Sequence, residues 1–161
     1  MTITTERLRL DPLQVEDADE MVAVLDDERL HEFTGGRPAT LAELRTHYGR
    51  LLAGSPNTEE VWLNWIVRRR RDSQAVGTVQ ATLRDGGETA LVAWVIGLEW
   101  QKQGFASEAA RALVDWLREQ GVHQFVARIH PAHVASGEVA ARAGLEPTEE
   151  EVSGEQVWRS P

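Results

Sequence analysis

The chain has no cysteine, one tyrosine, and one lysine set among sixteen arginines. Without cysteine there is no disulfide framework, no thiolate metal site and no acyl-cysteine intermediate. Long apolar runs are missing as well. The longest, Ala90 to Leu98, falls far below the roughly 20 residues needed to span a bilayer, so no membrane partner is expected. The opening Met1-Thr2-Ile3-Thr4-Thr5-Glu6 lacks the basic and apolar regions of a secretory signal, so a cytoplasmic protein is expected. Positive charge is scarce: a formal charge of -9 argues against a nucleic-acid groove and favours a substrate or partner that carries positive charge. Acidic balance also simply keeps proteins soluble. Lys102 stands out as the sole lysine, although an arginine bias of this kind reflects genomic base composition.

What is present fits one compact domain over residues 1–161, with 42% hydrophobic residues and no repeat or linker-like tract. Leu8 and Leu10 alternate with charged residues as in a half-buried strand that Pro12 ends. Val15, Ala18, Met21, Val22 and Leu25 fall at helical spacing. Thr40-Leu41-Ala42-Glu43 is a capping box opening a helix over about Leu41 to Leu52. Trp62–Arg69, Val76–Leu83 and Thr89–Ile96 read as three strands of an antiparallel meander, the last entered through Asp85-Gly86-Gly87. A helix is expected over Ala106–Glu119, then a strand over Phe125–Ile129, a helix over Ala135–Ala143 and a last strand over Gln156–Trp158. Glu149-Glu150-Glu151 reads as a solvated loop, and the run Arg68 to Arg71 as a solvated face. Strands in a run followed by alternating strand and helix predict an α/β (α+β) fold, a mixed sheet covered by helices.

The informative stretch is Trp94-Val95-Ile96-Gly97-Leu98-Glu99-Trp100-Gln101-Lys102-Gln103-Gly104-Phe105-Ala106, an apolar strand passing through a polar loop into a long helix. Such a corner aims unpaired N–H groups and the positive end of a helix dipole at one point, which makes it an anion site. Gly104 permits close backbone approach, and the small Ala106 leaves room beside a phosphate. A single strand-loop-glycine-helix is weak evidence, because many such glycines only shape turns. A second segment strengthens it: Ile129-His130-Pro131-Ala132-His133-Val134-Ala135-Ser136, followed by Val139-Ala140-Ala141-Arg142-Ala143-Gly144-Leu145.

Together these segments resemble the GNAT N-acetyltransferases, whose pattern runs Gln/Arg-x-x-Gly-x-Gly/Ala, helix, strand, Pro-x-Asn-x-x-Ser, and a helix ending in Gly-Phe or Gly-Leu. Thr4-Thr5-Glu6-Arg7-Leu8-Arg9-Leu10 is similar to the opening of the RimJ and RimL subgroup. The resemblance covers about Thr89 to Thr148, extends more loosely to the first strand, and is absent from Glu28 to Trp62. It implies a mostly antiparallel sheet with splayed strands, helices on both faces, and acetyl-CoA as cosubstrate. It also implies that main-chain amides of Gln101, Lys102, Gln103, Gly104, Phe105 and Ala106 hold the pyrophosphate. Trp94, Val95 and Ile96 would line the pantetheine, with the N–H of Val95 able to polarise the thioester carbonyl. Ser136 matches the motif serine that protonates the departing thiolate.

Two positions depart from the family pattern. His133 stands where the motif has asparagine, and no glutamate occupies the strand before the loop. Glu88 and His130 are the alternative general bases, and the family's tyrosine acid has no counterpart, since Tyr48 lies in an early helix. Trp62, Asn64 and Trp65 are candidates for the acceptor site, as aromatic walls can hold apolar or cationic groups. His123, His130 and His133 have no carboxylate or fourth ligand spaced with them, so no metal is expected. A thioester is already activated, so the enzyme has mainly to orient a neutral amine and stabilise an oxyanion. The expected acceptor is a protein N-terminus or a small amine, and the expected state a monomer or homodimer. A non-catalytic acyl-CoA-binding module is the rival reading. Last stands a sheet protein whose glycine turn serves packing alone.

Overall fold

A computed structural model of the protein describes residues 1–33 and 35–161. Its eight strands form one sheet in the order β1-β2-β3-β4-β5-β6-β8-β7. They are β1 (Ile3–Thr4), β2 (Leu8–Pro12), β3 (Val61–Arg69), β4 (Gln74–Arg84), β5 (Thr89–Ile96), β6 (Gln124–Ile129), β7 (Glu146–Val152) and β8 (Glu155–Arg159). Every neighbouring pair is antiparallel except β5 and β6. That parallel pair is joined by a right-sized crossover, the 15-residue helix α3 (Phe105–Glu119).

The helices divide between the two faces. α3 buries Phe105, Ala109, Leu113 and Leu117, a stripe at 3.6-residue spacing, against Leu10, Val67, Val79 and Val92 of the sheet. The helix α4 (Val134–Arg142) packs beside it through Val139 and Ala140. On the opposite face α1 (Ala18–Val24) and α2 (Leu41–Ala53) cover Ile66 and Ala75 with Met21, Leu44 and Tyr48. α2 starts where the sequence says it must. The Thr40 hydroxyl accepts from the Glu43 N–H at 3.2 Å, and the Glu43 carboxylate accepts from the Thr40 N–H at 3.0 Å.

Several local expectations change. The stretch Val15–Leu25 opens with a 3-10 turn over Val15–Asp17, and only Ala18–Val24 is α-helical. Glu149-Glu150-Glu151 lies in β7 rather than in a loop. β7 is an edge strand, where exposed charge discourages a further chain from pairing, so its glutamates suit a strand that shows no apolar alternation. Arg68 is no solvated residue: its side chain is 16% exposed and lies 3.5, 3.1 and 2.7 Å from Asp11, Asp17 and Glu20. Arg69 pairs with Asp72 and lies over the Trp100 ring.

The pairing of β5 with β6 is brief. It runs from Thr89↔Gln124 to Leu91↔Val126 and then stops, although β5 continues to Ile96 and β6 to Ile129. From that point the two strands diverge and leave a wedge-shaped opening through the sheet.

Candidate active site

Three backbone choices build the corner at the end of β5. A Cβ at Gly97 would come within 2.8 Å of the Val24 carbonyl, so a glycine is needed where the chain passes α1. After a 3-10 turn over Leu98–Trp100, Lys102 and Gly104 take φ values of +64° and +82°. For lysine that conformation costs roughly 1–2 kcal/mol, a strain the loop holds in place. Gly104 then caps α3 with no side-chain acceptor, so the N–H groups of its first turn face the opening alongside the dipole's positive end.

The N-terminal segment braces this corner. Glu108, in the first turn of α3, accepts from the Thr5 hydroxyl at 2.5 Å, the Arg7 N–H at 2.9 Å and Arg7 Nε at 2.7 Å. Arg7 Nη1 also donates to the Gln103 carbonyl at 2.8 Å, and its guanidinium lies 4.7 Å from the centre of the Phe105 ring. Burial alone would raise the Glu108 carboxyl; Thr5 and Arg7 outweigh it and hold it below its usual range. Arg7 thereby balances the charge of an ionised carboxylate at the start of α3.

Strand alternation decides which main-chain groups the wedge exposes. Gly97 N–H donates to Val76 O at 2.8 Å, directing the odd-numbered residues of β5 toward β4, while Glu88 O accepts from His123 and Gln124, directing the even-numbered ones toward β6. The Val92 N–H still closes the Leu91↔Val126 pair, and beyond it the Val92 carbonyl, Trp94 and the Ile96 N–H face the opening. The Ile96 carbonyl is taken by Gln101 Nε2 at 2.9 Å. Val95 turns its N–H and C=O to β4 instead, so it is not the donor that polarises a carbonyl in the wedge. A Cβ on Gly77 would sit 2.1 Å from Val95 O, which shows how closely β4 holds that residue.

The wedge belongs to a cleft of about 870 Å³ that passes through the sheet, within the range of roughly 300–1,000 Å³ usual for ligand sites. On the α3 side its walls are the α3 first turn and, from α4, Ser136, Val139 and Arg142. On the other side the floor is Gln80, Thr82, Leu91 and Ala93, roofed by the segment that carries Arg29, Leu30, Glu32 and Phe33. Phe33 reaches across to the rings of His130 and His133, at 5.1 and 4.5 Å between centroids.

With this geometry the comparisons are decisive. The profile of the acetyltransferase (GNAT) domain matches residues 7–146. The chain belongs to the GNAT acetyltransferase family. An uncharacterised N-acetyltransferase, YnaD of Bacillus subtilis, is 31% identical over 61 residues, a match covering 37% of this chain and 36% of that protein. A GNAT acetyltransferase structure from Bacillus anthracis superposes with a TM-score of 0.81 at 19% identity, covering 99% of this chain and 97% of that one. RimL, a ribosomal L7/L12 alpha-N-protein acetyltransferase in complex with coenzyme A, superposes with a TM-score of 0.81 at 15% identity over 99% of this chain and 97% of its own. At those identities the superpositions establish the fold.

The GNAT fold separates the expected site residues into three groups. Trp94, Val95, Ile96, Gln101, Lys102, Gly104, Phe105, Ala106, His130, His133 and Ser136 all border the cleft. Gln103 does not: its carbonyl is held by Arg7 on the outer side of the loop. Trp62 and Asn64 pair with Thr82 and Gln80, so they continue the cleft floor one strand further out.

Trp65 and Glu88 fall elsewhere. Trp65 is 3% exposed, stacks edge-on against Trp116 and donates from Nε1 to Met1 O, so it is core on the α3 face. The period-2 alternation of β3 sends it to the opposite side from Trp62 and Asn64. Glu88 is exposed before β5, where its carbonyl helps zip β5 to β6, at the closed end of the strand. That removes it as a base acting in the wedge.

The two cleft histidines differ in what they can do. His130 Nδ1 accepts from the Ala132 N–H at 3.0 Å, which leaves Nε2 as the protonated nitrogen of the neutral ring. His130 is therefore a donor to the cleft and a poor acceptor. His133 makes no such bond; burial first, and His130 beside it, push its pKa below 6.5 against the pull of Glu32, so its ring is neutral near pH 7. His123 precedes β6 while His130 follows it, and no cluster of three or more potential metal ligands occurs among the described residues. The Tyr48 phenol is buried against α1 and pushed up to about 12 by burial and Asp17, far from acid catalysis.

Proposed function

We propose that this GNAT domain transfers acetyl from acetyl-CoA to a primary amine by direct attack. The observation that carries the reading is the wedge: an uncapped helix start at one end, two strands diverging beyond Leu91 and Val126, and a cleft continuing to the opposite face. The pyrophosphate sits on the N–H groups of the α3 first turn, with Lys102 and Arg142 as nearby cations. The pantetheine adds to the open edge of β5 as a strand would, through the Val92 carbonyl and the main chain of Trp94. A main-chain N–H of that edge then faces the thioester oxygen as it becomes an oxyanion.

The amine approaches from the face opposite α3, beneath Phe33. An α-amine, with a reference pKa of roughly 7.7–8.0, is partly neutral near pH 7, so modest help removes its proton. His133 replaces Glu88 in our reading as the group that takes the proton, directly or through water, because its neutral ring has a free acceptor nitrogen. Ser136, half-buried on α4, protonates the departing thiolate. A protein N-terminus, as for RimL, and a small-molecule amine both fit the reading. No helix among the described residues is long and apolar enough to cross a membrane.

Isothermal titration with acetyl-CoA and CoA tests the reading first. We expect saturable binding at micromolar concentrations, and no heat at millimolar acetyl-CoA would remove it. Turnover on an amine panel separates an enzyme from a binding module. In Ser136→Ala the turnover should fall about 100-fold with acetyl-CoA affinity unchanged; an unaltered pH–rate profile and rate would exclude the acid role.

A further inference from the structure

We propose that Arg128 is a carboxylate-recognising residue of the acceptor site, and that the acceptor is a small α-amino acid rather than a simple amine. The inference rests on the acetyl-transfer reading and narrows it.

Arg128 lies on β6 two residues past the last β5–β6 pair, so it stands across the wedge from Ala93. Its neighbours Ala127 and Ile129 are buried in the α3-side core, which by alternation turns Arg128 to the opposite face, the one with Leu91, Ala93, Gln80 and Thr82. This is the side from which an amine reaches the thioester.

Its charge has no partner there. Among the described residues Arg128 makes no ion pair or hydrogen bond, although the protein is strongly acidic and most of its arginines are paired. The other guanidinium on this side, Arg29, is already matched by Asp27, with Nε and Nη2 at 3.1 and 2.8 Å from its two oxygens. Lys102 and Arg142 stand on the cofactor side, Arg142 within 3.5 Å of the Ser107 hydroxyl in the first turn of α3. One unsatisfied planar fork thus remains on the acceptor side of the wedge. A guanidinium binds a carboxylate through two parallel hydrogen bonds, a geometry a lone oxygen does not use.

The spacing suits an α-amino acid, whose carboxylate and amine are separated by one carbon. With the carboxylate on Arg128 the amine lies over the wedge, while Glu32 and Glu155, both on the cleft wall, favour its cationic form on arrival. The apolar side chain of Leu91 offers a contact to the amino acid's own side chain. Bond changes are those of the parent reaction: the C–S bond of acetyl-CoA breaks, an N–C bond forms, and the amine proton leaves.

The test compares matched pairs that differ only by the carboxylate: L-phenylalanine with phenethylamine, L-histidine with histamine, and L-ornithine with putrescine. For the parent protein at least one amino acid should exceed its decarboxylated partner by tenfold or more in kcat/KM. Arg128→Ala should erase that preference by raising KM for the amino acid at least tenfold, with kcat for the amine and acetyl-CoA affinity by titration both unchanged. Arg128→Lys should restore only part of it. Equal use of both members of every pair would overturn the proposal, as would Arg128→Ala lowering kcat equally for both, which would make Arg128 part of the transfer step. If acetyl-CoA itself does not bind, the transfer reading fails first; if it binds and no amino acid binds to the CoA-loaded protein, this proposal fails alone.

Discussion

The α3 face of the cleft and its opposite face are built from different material. On the α3 side the site consists of main-chain groups held at a corner: a left-handed Gly104, an uncapped helix start, and a strand edge left open from the Val92 carbonyl to Trp94. On the other side it consists of side chains from four separate elements, Gln80 and Thr82 on β4, Leu91 and Ala93 on β5, Arg128 on β6, and the roof at Phe33. Backbone sites tolerate side-chain change and depend on geometry, whereas side-chain sites can be retuned without disturbing the fold. If the proposed roles hold, one scaffold serves a donor gripped by its main chain and an acceptor chosen by its side chains.

The largest effect that would break this contrast lies in β3. Trp65→Ala removes a buried indole from the α3-side core and should cost about 3–5 kcal/mol, read as a large drop in denaturation midpoint. Trp62→Ala, three residues away on the other face and only half-buried, should cost about 1 kcal/mol and also raise acceptor KM. Equal destabilisation by the two would mean that the strand faces are misassigned.

Gly104→Val comes next. Its φ of +82° is strained for a branched side chain, and its Cβ would sit 3.2 Å from the Arg7 guanidinium. A loss of about 1–3 kcal/mol is expected, together with at least tenfold weaker acetyl-CoA binding by titration. Normal affinity would show that the corner does not hold the cofactor.

The smallest effect sharpens the role of the brace. Glu108→Gln should cost about 1 kcal/mol at pH 7, reduced by the partial exposure of Arg7 and Glu108. Since the folded-state pKa of Glu108 lies below 4.5, its ionised form stabilises the fold above that value. The contribution is lost as pH falls below 4.5 through the lowered pKa, so the gap between parent and variant in urea melts should close there. A gap that persists into acid would mean that shape, not charge, accounts for it.

The backbone side was the more legible in sequence for a physical reason. A turn that needs φ near +80° and a tight approach asks for glycine at a fixed distance from a helix stripe, and Gly104 with Phe105, Ala109 and Leu113 displays that. Thr40 and Glu43 announced α2 in the same local way. Side-chain sites leave weaker traces. Trp62 and Trp65 differ by three positions and hence by strand face, yet both are tryptophans, and no local rule says which face meets α3. Arg128 sat unnoticed in an apolar strand, where its break in the pattern Phe125-Val126-Ala127-Ile129 was the available signal. Phe33 gave none, since its partners His130 and His133 lie about a hundred residues on. The brace of Thr5 and Arg7 on Glu108 was visible only as a family-like opening. The strand pattern alone misassigns Val95, because edge direction depends on the register with β4, set by the close approach of Gly77 to the Val95 carbonyl and the Gly97–Val76 hydrogen bond.

Amide hydrogen exchange with and without acetyl-CoA reads out whether the wedge and the α3 corner hold the cofactor. Bound acetyl-CoA should newly protect the Trp94 amide and the first turn of α3 and leave the β2–β3 ladder unchanged. Protection spread evenly over the sheet, or confined to residues outside the wedge, would contradict that placement.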